Sequence, residues 1–162
     1  MTTKQPIGVL FVCLGNICRS PMAEAVFRHM VNQEGLAEKF RIDSAGTGDW
    51  HTGKPPHHGT QNILKQYSIS FEGMFARQVA ADDFAEFDYI IAMDDSNVSN
   101  LRKLMKGRET EVIRLLDLVP EAESKEVPDP YYTGNFDETY ELVTLGCKAL
   151  LGHIRREHGD LF

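Results

Sequence analysis

Two segments of the sequence carry residues whose types and spacing could do chemistry. The first reads Cys13-Leu14-Gly15-Asn16-Ile17-Cys18-Arg19-Ser20-Pro21, with five residues between a cysteine and an arginine. A short loop that enters a helix N-terminus can turn successive backbone N–H groups inward, and Gly15 and Asn16 tolerate the left-handed angles this needs. The Arg19 guanidinium adds a planar fork that matches two phosphate oxygens. A field that attracts phosphate also favours thiolate over thiol, so Cys13 reads as a nucleophile activated by its surroundings. Ser20 could donate a hydrogen bond to its sulfur. Hydrolysis of a phosphate ester also needs an acid for the departing oxygen. Most of the 24 acidic residues are indistinguishable from solvated surface groups. Asp129 stands apart in Val127-Pro128-Asp129-Pro130-Tyr131-Tyr132, where prolines stiffen the chain on both sides and two tyrosines could wall an aromatic leaving group. Alone, this second segment would be a tight turn more often than an active site.

Other readings of these residues are weaker. A lone cysteine at a strand end is usually a buried hydrophobe. Cys13 and Cys18 could form half of a zinc site, but no second Cys/His pair stands at ligand spacing, and His57-His58 lies in a proline-rich loop that reads as solvated. Neither reading accounts for Gly, Asn, Arg, Ser and Pro at these positions together.

The elements that must position these residues alternate between strand and helix. Residues 7–12 (IGVLFV) form a continuous apolar run suited to a buried parallel strand. Ser20-Pro21 then reads as the start of a helix, with Ser20 at the N-cap, Glu24 placing charge in the first turn, and a packing stripe from Met22 to Val31. Further strands are expected at residues 40–45, 89–93 and 111–116, and helices near 60–67, from 82, and at 96–105. Asn135, with Glu138 three positions on, has capping-box spacing for a last helix whose apolar seam includes Cys147. No repeat or linker divides the chain. Residues 1–162 therefore read as one α/β domain: a three-layer doubly wound fold around a central four-stranded parallel sheet. Such sheets bind ligands beyond the carboxyl ends of their strands, where the Cys13 loop falls.

Composition narrows the function. Net charge is −7, with 42% hydrophobic residues, which argues against nucleic-acid or anionic-membrane partners. The polar N-terminus shows no export signal, no apolar run approaches a membrane span, and the odd count of three cysteines reads as reduced thiols in a cytoplasmic protein.

The Cys13-x5-Arg19-Ser20 loop near the N-terminus, with Asp129-Pro130-Tyr131-Tyr132 near the C-terminus, resembles the low-molecular-weight protein tyrosine phosphatases. The likeness extends over nearly the whole chain, through Asp43-Ser44-Ala45-Gly46, Ala76-Arg77-Gln78 and Ala92-Met93-Asp94 to Asn97. It implies hydrolysis of protein phosphotyrosine and small aryl phosphates through a phosphocysteine on Cys13. Arg19 and the loop N–H groups of Leu14, Gly15, Asn16, Ile17 and Cys18 would bind the phosphate, and Asp129 would act as general acid and then base. Ser20 would support the thiolate, Ser44 would hold Asn16, and Trp50, Tyr131 and Tyr132 would line the substrate pocket. Cys18 matches a second loop cysteine that can form a disulfide with the nucleophile under oxidation. The resemblance implies no metal and no cofactor, tyrosine-phosphorylated proteins as partners, and a monomer or weak dimer. One departure is Met74, at a place where some relatives carry a loop-supporting histidine, so that support must be absent or come from elsewhere.

Three alternatives remain on the sequence. An arsenate reductase of the same fold needs two further cysteines in a mid-chain segment, and residues 71–94 contain none. A protein arginine phosphatase would carry Thr at the position of Ile17 and lack the tyrosine pair. A phosphotyrosine-binding module without catalysis would not need Cys13, Arg19 and Asp129 together.

Overall fold

A computed structural model describes residues 5–105 and 111–159. The first four residues, part of the N-terminus read above as lacking an export signal, lie outside the described residues.

The apolar run folds as β1 (Ile7–Cys13), every residue of it buried. It is followed by α1 (Arg19–Gln33), a short 3-10 turn, and β2 (Phe40–Gly46). Next come α2 (His58–Gln66), α3 (Asp83–Glu86), β3 (Tyr89–Ala92), α4 (Asp95–Met105) and β4 (Val112–Arg114). Two helices close the order, α5 (Pro130–Thr133) and the long α6 (Phe136–Glu157). The four strands form one parallel sheet in the order β2-β1-β3-β4. The chain leaves β1 toward β2 on one side and returns to β3 on the other. The order therefore reverses beside the C-terminal end of β1, where Cys13 sits and where such sheets hold ligands.

The pleat sorts β1 between two cores. Ile7, Val9, Phe11 and Cys13 face a cluster built with α1, α2 and α6, while Leu10 and Val12 face a smaller one built with Phe84, Val98 and Leu101 from α3 and α4. Helices thus cover both faces, and the expected three-layer, four-stranded parallel architecture is the observed one. In α6 the seam Val143, Cys147, Leu150 and Ile154 is fully buried, and the Asn135 side chain accepts the Glu138 N–H at 3.0 Å as its spacing predicts.

Four local expectations need correction. Ser20 does not cap α1: the helix begins at Arg19 after Cys18, because the Ser20 hydroxyl is drawn inward to Cys13 and Asn16. Residues 115 and 116 leave the expected fourth strand, which ends at Arg114, and begin a 3-10 turn over Leu115–Leu118 that places Leu115 and Leu116 in the larger core. His57 is half-buried rather than solvated. Its Nδ1 caps α2 by accepting the Gly59 N–H at 3.0 Å, and its ring stacks on Phe136. Burial, then the neighbouring His58 and His51, lower its pKa, which suits a ring nitrogen that must stay an acceptor. Finally, residues 130–133 are a helical turn, α5, with the Asp129 carboxylate as its cap.

Candidate active site

The loop after β1 spends most of its carbonyls on surrounding segments. The carbonyls of Cys13 and Leu14 accept the N–H groups of Thr47 and Gly48, each at 2.9 Å, and that of Ile17 accepts the His57 N–H at 2.7 Å. The Cys18 carbonyl is used by Met22 and by Thr60 Oγ1. In a trans peptide the N–H points opposite to the C=O it adjoins, and none of the described bonds is cis. Carbonyls spent outward at residues 13, 14, 17 and 18 therefore turn the N–H groups of residues 14, 15, 18 and 19 inward, toward the sulfur side.

One non-glycine residue in the loop has a left-handed backbone: Asn16, at φ 57°. Gly15, expected to share that role, does not; a Cβ on Gly15 would stand 2.9 Å from His51 Cδ2, so the glycine is there for close approach. Asn16 is 3% exposed and all its side-chain capacity is directed at holding the turn. Its Nδ2 donates to Ser20 Oγ at 2.8 Å and Ser44 Oγ at 3.0 Å, and its Oδ1 accepts the Arg77 N–H at 3.0 Å. These bonds fix where the hydroxyl protons go. Ser44 Oγ, accepting from Asn16, donates to Glu24 Oε1 at 2.6 Å. Ser20 Oγ, likewise an acceptor from Asn16, lies 3.0 Å from Cys13 Sγ, and the Ala45 carbonyl is a further acceptor at 3.5 Å. With Cys13 as a thiolate the Ser20 proton faces the sulfur, and the Ser20 N–H is also directed there at 3.4 Å.

Glu24 was read only as first-turn charge. Instead it is a buried carboxylate held between Ser44 and Arg28, and Arg28 is anchored in turn on the Ile42 carbonyl at 3.0 Å. Through Ser44, which also accepts from Asn16, this pair is linked to the loop, while Met74 is buried in the larger core. Nothing in the sequence separates Glu24 from the chain's exposed carboxylates except the (i, i+4) spacing to Arg28, since an inward carboxylate needs partners from a distant strand.

Arg19 is 2% exposed and held from one side. Its Nη1 donates to Asp94 Oδ2 at 2.7 Å and to the Val127 carbonyl at 3.0 Å. Asp94 is itself fixed, its Oδ1 accepting the Asn97 N–H at 2.8 Å at the start of α4. Arg19 Nη2 reaches Asp129 Oδ2 only at 3.4 Å, and its buried Nε has no hydrogen-bond partner among the described residues. The Nε–Nη2 edge is thus the one left for a bidentate anion. Asp94, a second residue that spacing alone did not single out, sets which edge that is.

A cavity of about 220 Å³ opens over the loop. Cys13, Leu14, Gly15, Ile17 and Cys18 form its floor, with Asp129, Trp50, Tyr131, Tyr132 and His51 around it. Asn16, Arg19, Ser20 and Ser44 lie beneath as supports. The rim is aromatic and open, Trp50 being 65%, Tyr131 55% and Tyr132 75% exposed. Burial, reinforced by Cys13 and Asp129, pushes the Cys18 thiol up to about 12. Burial alone pushes Cys147 up, far from the cavity in the α6 seam. No cluster of three or more His, Cys, Asp or Glu among the described residues has metal-binding geometry.

The comparisons with known proteins concern the whole of this arrangement. A family model described as "Low molecular weight phosphotyrosine protein phosphatase" matches residues 8–159. The chain is 56% identical over 152 residues to the low molecular weight protein-tyrosine-phosphatase YfkJ of Bacillus subtilis, covering 93% of this chain and 97% of that one. The crystal structure of YfkJ superposes with a TM-score of 0.94 at 53% identity, over 97% of this chain and 99% of that one. An arginine phosphatase from Drosophila, DARP, superposes with a TM-score of 0.84 at 35% identity, over 91% and 97% of the two chains.

The burial of Glu24 makes a test by pH. Burial raises its pKa above the ordinary glutamate range, the bonds from Ser44 and Arg28 offsetting only part of the cost. A raised folded-state value means that the fold holds this proton more tightly than the unfolded chain does. Its stabilising contribution is complete below the ordinary glutamate value and is lost as pH rises through the raised one. Urea unfolding of the wild type and Glu24→Gln across this range should show the wild type losing stability relative to the variant as pH rises. A difference independent of pH would remove this account of Glu24.

Proposed function

The chain belongs to the low molecular weight phosphotyrosine protein phosphatase family and is a protein tyrosine phosphatase, and from that premise we propose how its residues carry the reaction and on what. The observation that carries the proposal is the Cys13 sulfur on the cavity floor, 3.0 Å from the Ser20 hydroxyl, in a loop whose carbonyls are spent on surrounding segments, beside an Arg19 edge whose Nε has no partner among the described residues and whose Nη2 makes only the 3.4 Å contact to Asp129. The phosphoryl group of a tyrosine-phosphorylated protein enters the cavity. Its non-bridging oxygens take the loop N–H groups and the Nε–Nη2 edge of Arg19, donors that strengthen as charge develops. The Cys13 thiolate attacks phosphorus, the bond to the phenolic oxygen breaks, and the Asp129 carboxyl gives its proton to that oxygen. Arg19 is turned to the phosphate at this point, and its long contact to Asp129 is the one it gives up. In the second half a water loses a proton to the Asp129 carboxylate and attacks phosphorus. The P–S bond breaks and the thiolate returns to the Ser20 hydroxyl.

The acid and the aromatic wall are one unit. Asp129 Oδ1 accepts the Tyr131 N–H at 3.1 Å and caps α5, so Tyr131 and Tyr132 are placed relative to the acid by a single helical turn. Their rings meet edge to face at 5.4 Å between centroids. Together with Trp50 and the apolar Ile17 floor they suit a flat, neutral ring better than the charged guanidinium of phosphoarginine. A cytoplasmic setting is part of the proposal, supported by three buried cysteines, all unbridged. No helix among the described residues is long and apolar enough to cross a membrane.

Three measurements test this reading. Cys13→Ser should abolish hydrolysis of an aryl phosphate while inorganic phosphate or vanadate still binds; turnover at the wild-type rate would sink the covalent step. Asp129→Ala should slow transfer from a phenyl ester by roughly 100- to 10,000-fold, and much less from an ester whose leaving group needs no proton. Equal losses on both would remove Asp129 from the acid role. Among phosphotyrosine, phosphoserine and phosphoarginine peptides, phosphotyrosine should be cleaved fastest, and faster cleavage of phosphoarginine would overturn the assignment made through Ile17 and the tyrosines.

A further inference from the structure

A second concavity, of about 440 Å³, adjoins the catalytic cavity, and the two share Leu14 and Trp50. Its far wall is one face of α4, where Asn100, Lys103 and Leu104 stand three and four residues apart. Two large apolar side chains on its walls are left to solvent, Trp50 at 65% and Leu104 at 40% exposure. The shared wall is well held. A Cβ on Gly48 would fall 1.9 Å from Trp50 Cζ3, so the indole is seated on that glycine. The segment beneath is tied to the phosphate loop through Gly48 N–H to the Leu14 carbonyl at 2.9 Å, and to Gln78 Nε2 through the Thr47 carbonyl at 3.2 Å.

We propose that this groove receives the side chain of a substrate residue two positions from the phosphotyrosine, and that Lys103 selects an acidic one. The proposal rests on the phosphotyrosine reading above. In an extended peptide, side chains at i and i±2 point the same way, roughly 6.6–7 Å apart. Two groups in contact with opposite sides of one aromatic ring are separated by about the same distance, twice a carbon–carbon contact of roughly 3.5 Å. A phosphotyrosine seated on one side of Trp50 therefore presents the next same-facing side chain to the other side. The sign follows from charge. Arg19, Arg28, Arg77 and Arg114 are each paired with carboxylates, whereas among the described residues no carboxylate lies within ion-pair distance of Lys103. In a chain of net charge −7 that cation is a local attraction for an anionic peptide. Asp49 also lines the groove, so a basic residue at the same peptide position is the competing outcome.

The test is kcat/KM for phosphotyrosine peptides carrying Glu, Ala or Lys at position −2 or +2, with p-nitrophenyl phosphate as a substrate too small to reach the groove. In the wild type, Glu at one of these positions should exceed Lys by roughly threefold to fivefold at low salt, and the preference should fade at high salt. Lys103→Glu should invert the order, and Leu104→Ala should lower kcat/KM for all the peptides, with p-nitrophenyl phosphate unchanged in both variants. The same ranking in Lys103→Glu as in the wild type, or a preference for Lys, would overturn the proposal. Turnover of p-nitrophenyl phosphate with no cleavage of any phosphotyrosine peptide would instead overturn the reading on which it rests.

Discussion

The site depends on one strained residue being held in place. Asn16 has a left-handed backbone without being glycine, which costs of the order of 1 kcal/mol or more unless its surroundings fix it. Its side-chain amide supplies that fixing, with three hydrogen bonds to groups on α1, on β2 and at Arg77. Two of these bonds also bear on hydroxyl protons, leaving that of Ser44 to Glu24 and that of Ser20 to face the nucleophile when Cys13 is a thiolate. Geometry and electrostatics of the loop are therefore one constraint. Loosening Asn16 would free the N–H groups from their common focus and at the same time release the proton that faces Cys13.

Around this centre the charges are arranged so that a strongly acidic protein can still hold an anion. Asp94 and the Val127 carbonyl occupy one end of the Arg19 guanidinium at 2.7 and 3.0 Å, while the contact to Asp129 is 3.4 Å and Nε has no partner among the described residues. The strong pair orients the fork and the weak one is exchangeable. Each acidic partner is also a helix cap, Asp94 for α4 and Asp129 for α5. The carboxylates that position the cation are thus fixed by backbone N–H groups, and the loop carrying Asp129 is pinned to the end of β3 by the Val127 N–H on the Met93 carbonyl at 2.9 Å.

What could be read from the sequence follows the range of the interactions concerned. β1 was legible because a strand buried on both faces must be continuously apolar, and α6 because its cap and seam are local. The loop was legible because a phosphate cradle restricts residue types at adjacent positions. Glu24 and Asp94 were not singled out, since each takes its role from partners that the fold brings near: Ser44 is 20 residues from Glu24, and Asp94 is 75 from Arg19. The misplaced Ser20 cap has the same origin. Its composition suits a cap, but the hydroxyl has better partners in Cys13 and Asn16, and tertiary contacts override the local preference. His57 was misread because the aromatic surface of Phe136, on which its ring stacks, lies far along the chain.

The likeness to a Drosophila arginine phosphatase at a TM-score of 0.84 shows that this backbone does not by itself decide the substrate. A phosphate on any leaving group presents the same oxygens to the loop and to Arg19, so the nucleophilic half of the site cannot discriminate. Discrimination falls to what surrounds the leaving group. Here that is the Ile17 floor, 8% exposed and packed with Cys18 and Ala76, and a rim of three aromatic rings, two of them fixed by the helical turn that the acid caps. A phenol is flat and neutral and leaves as an oxygen that needs a proton, and both demands are met from one turn of chain. A guanidinium leaving group would bring its own charge onto an apolar floor without a polar contact there, at a desolvation cost the ring does not incur. On the proposed mechanism, discrimination at the leaving group therefore falls to Ile17 and residues 129–132, and the chemistry is divided between the nucleophile loop at residues 13–20 and the acid at Asp129.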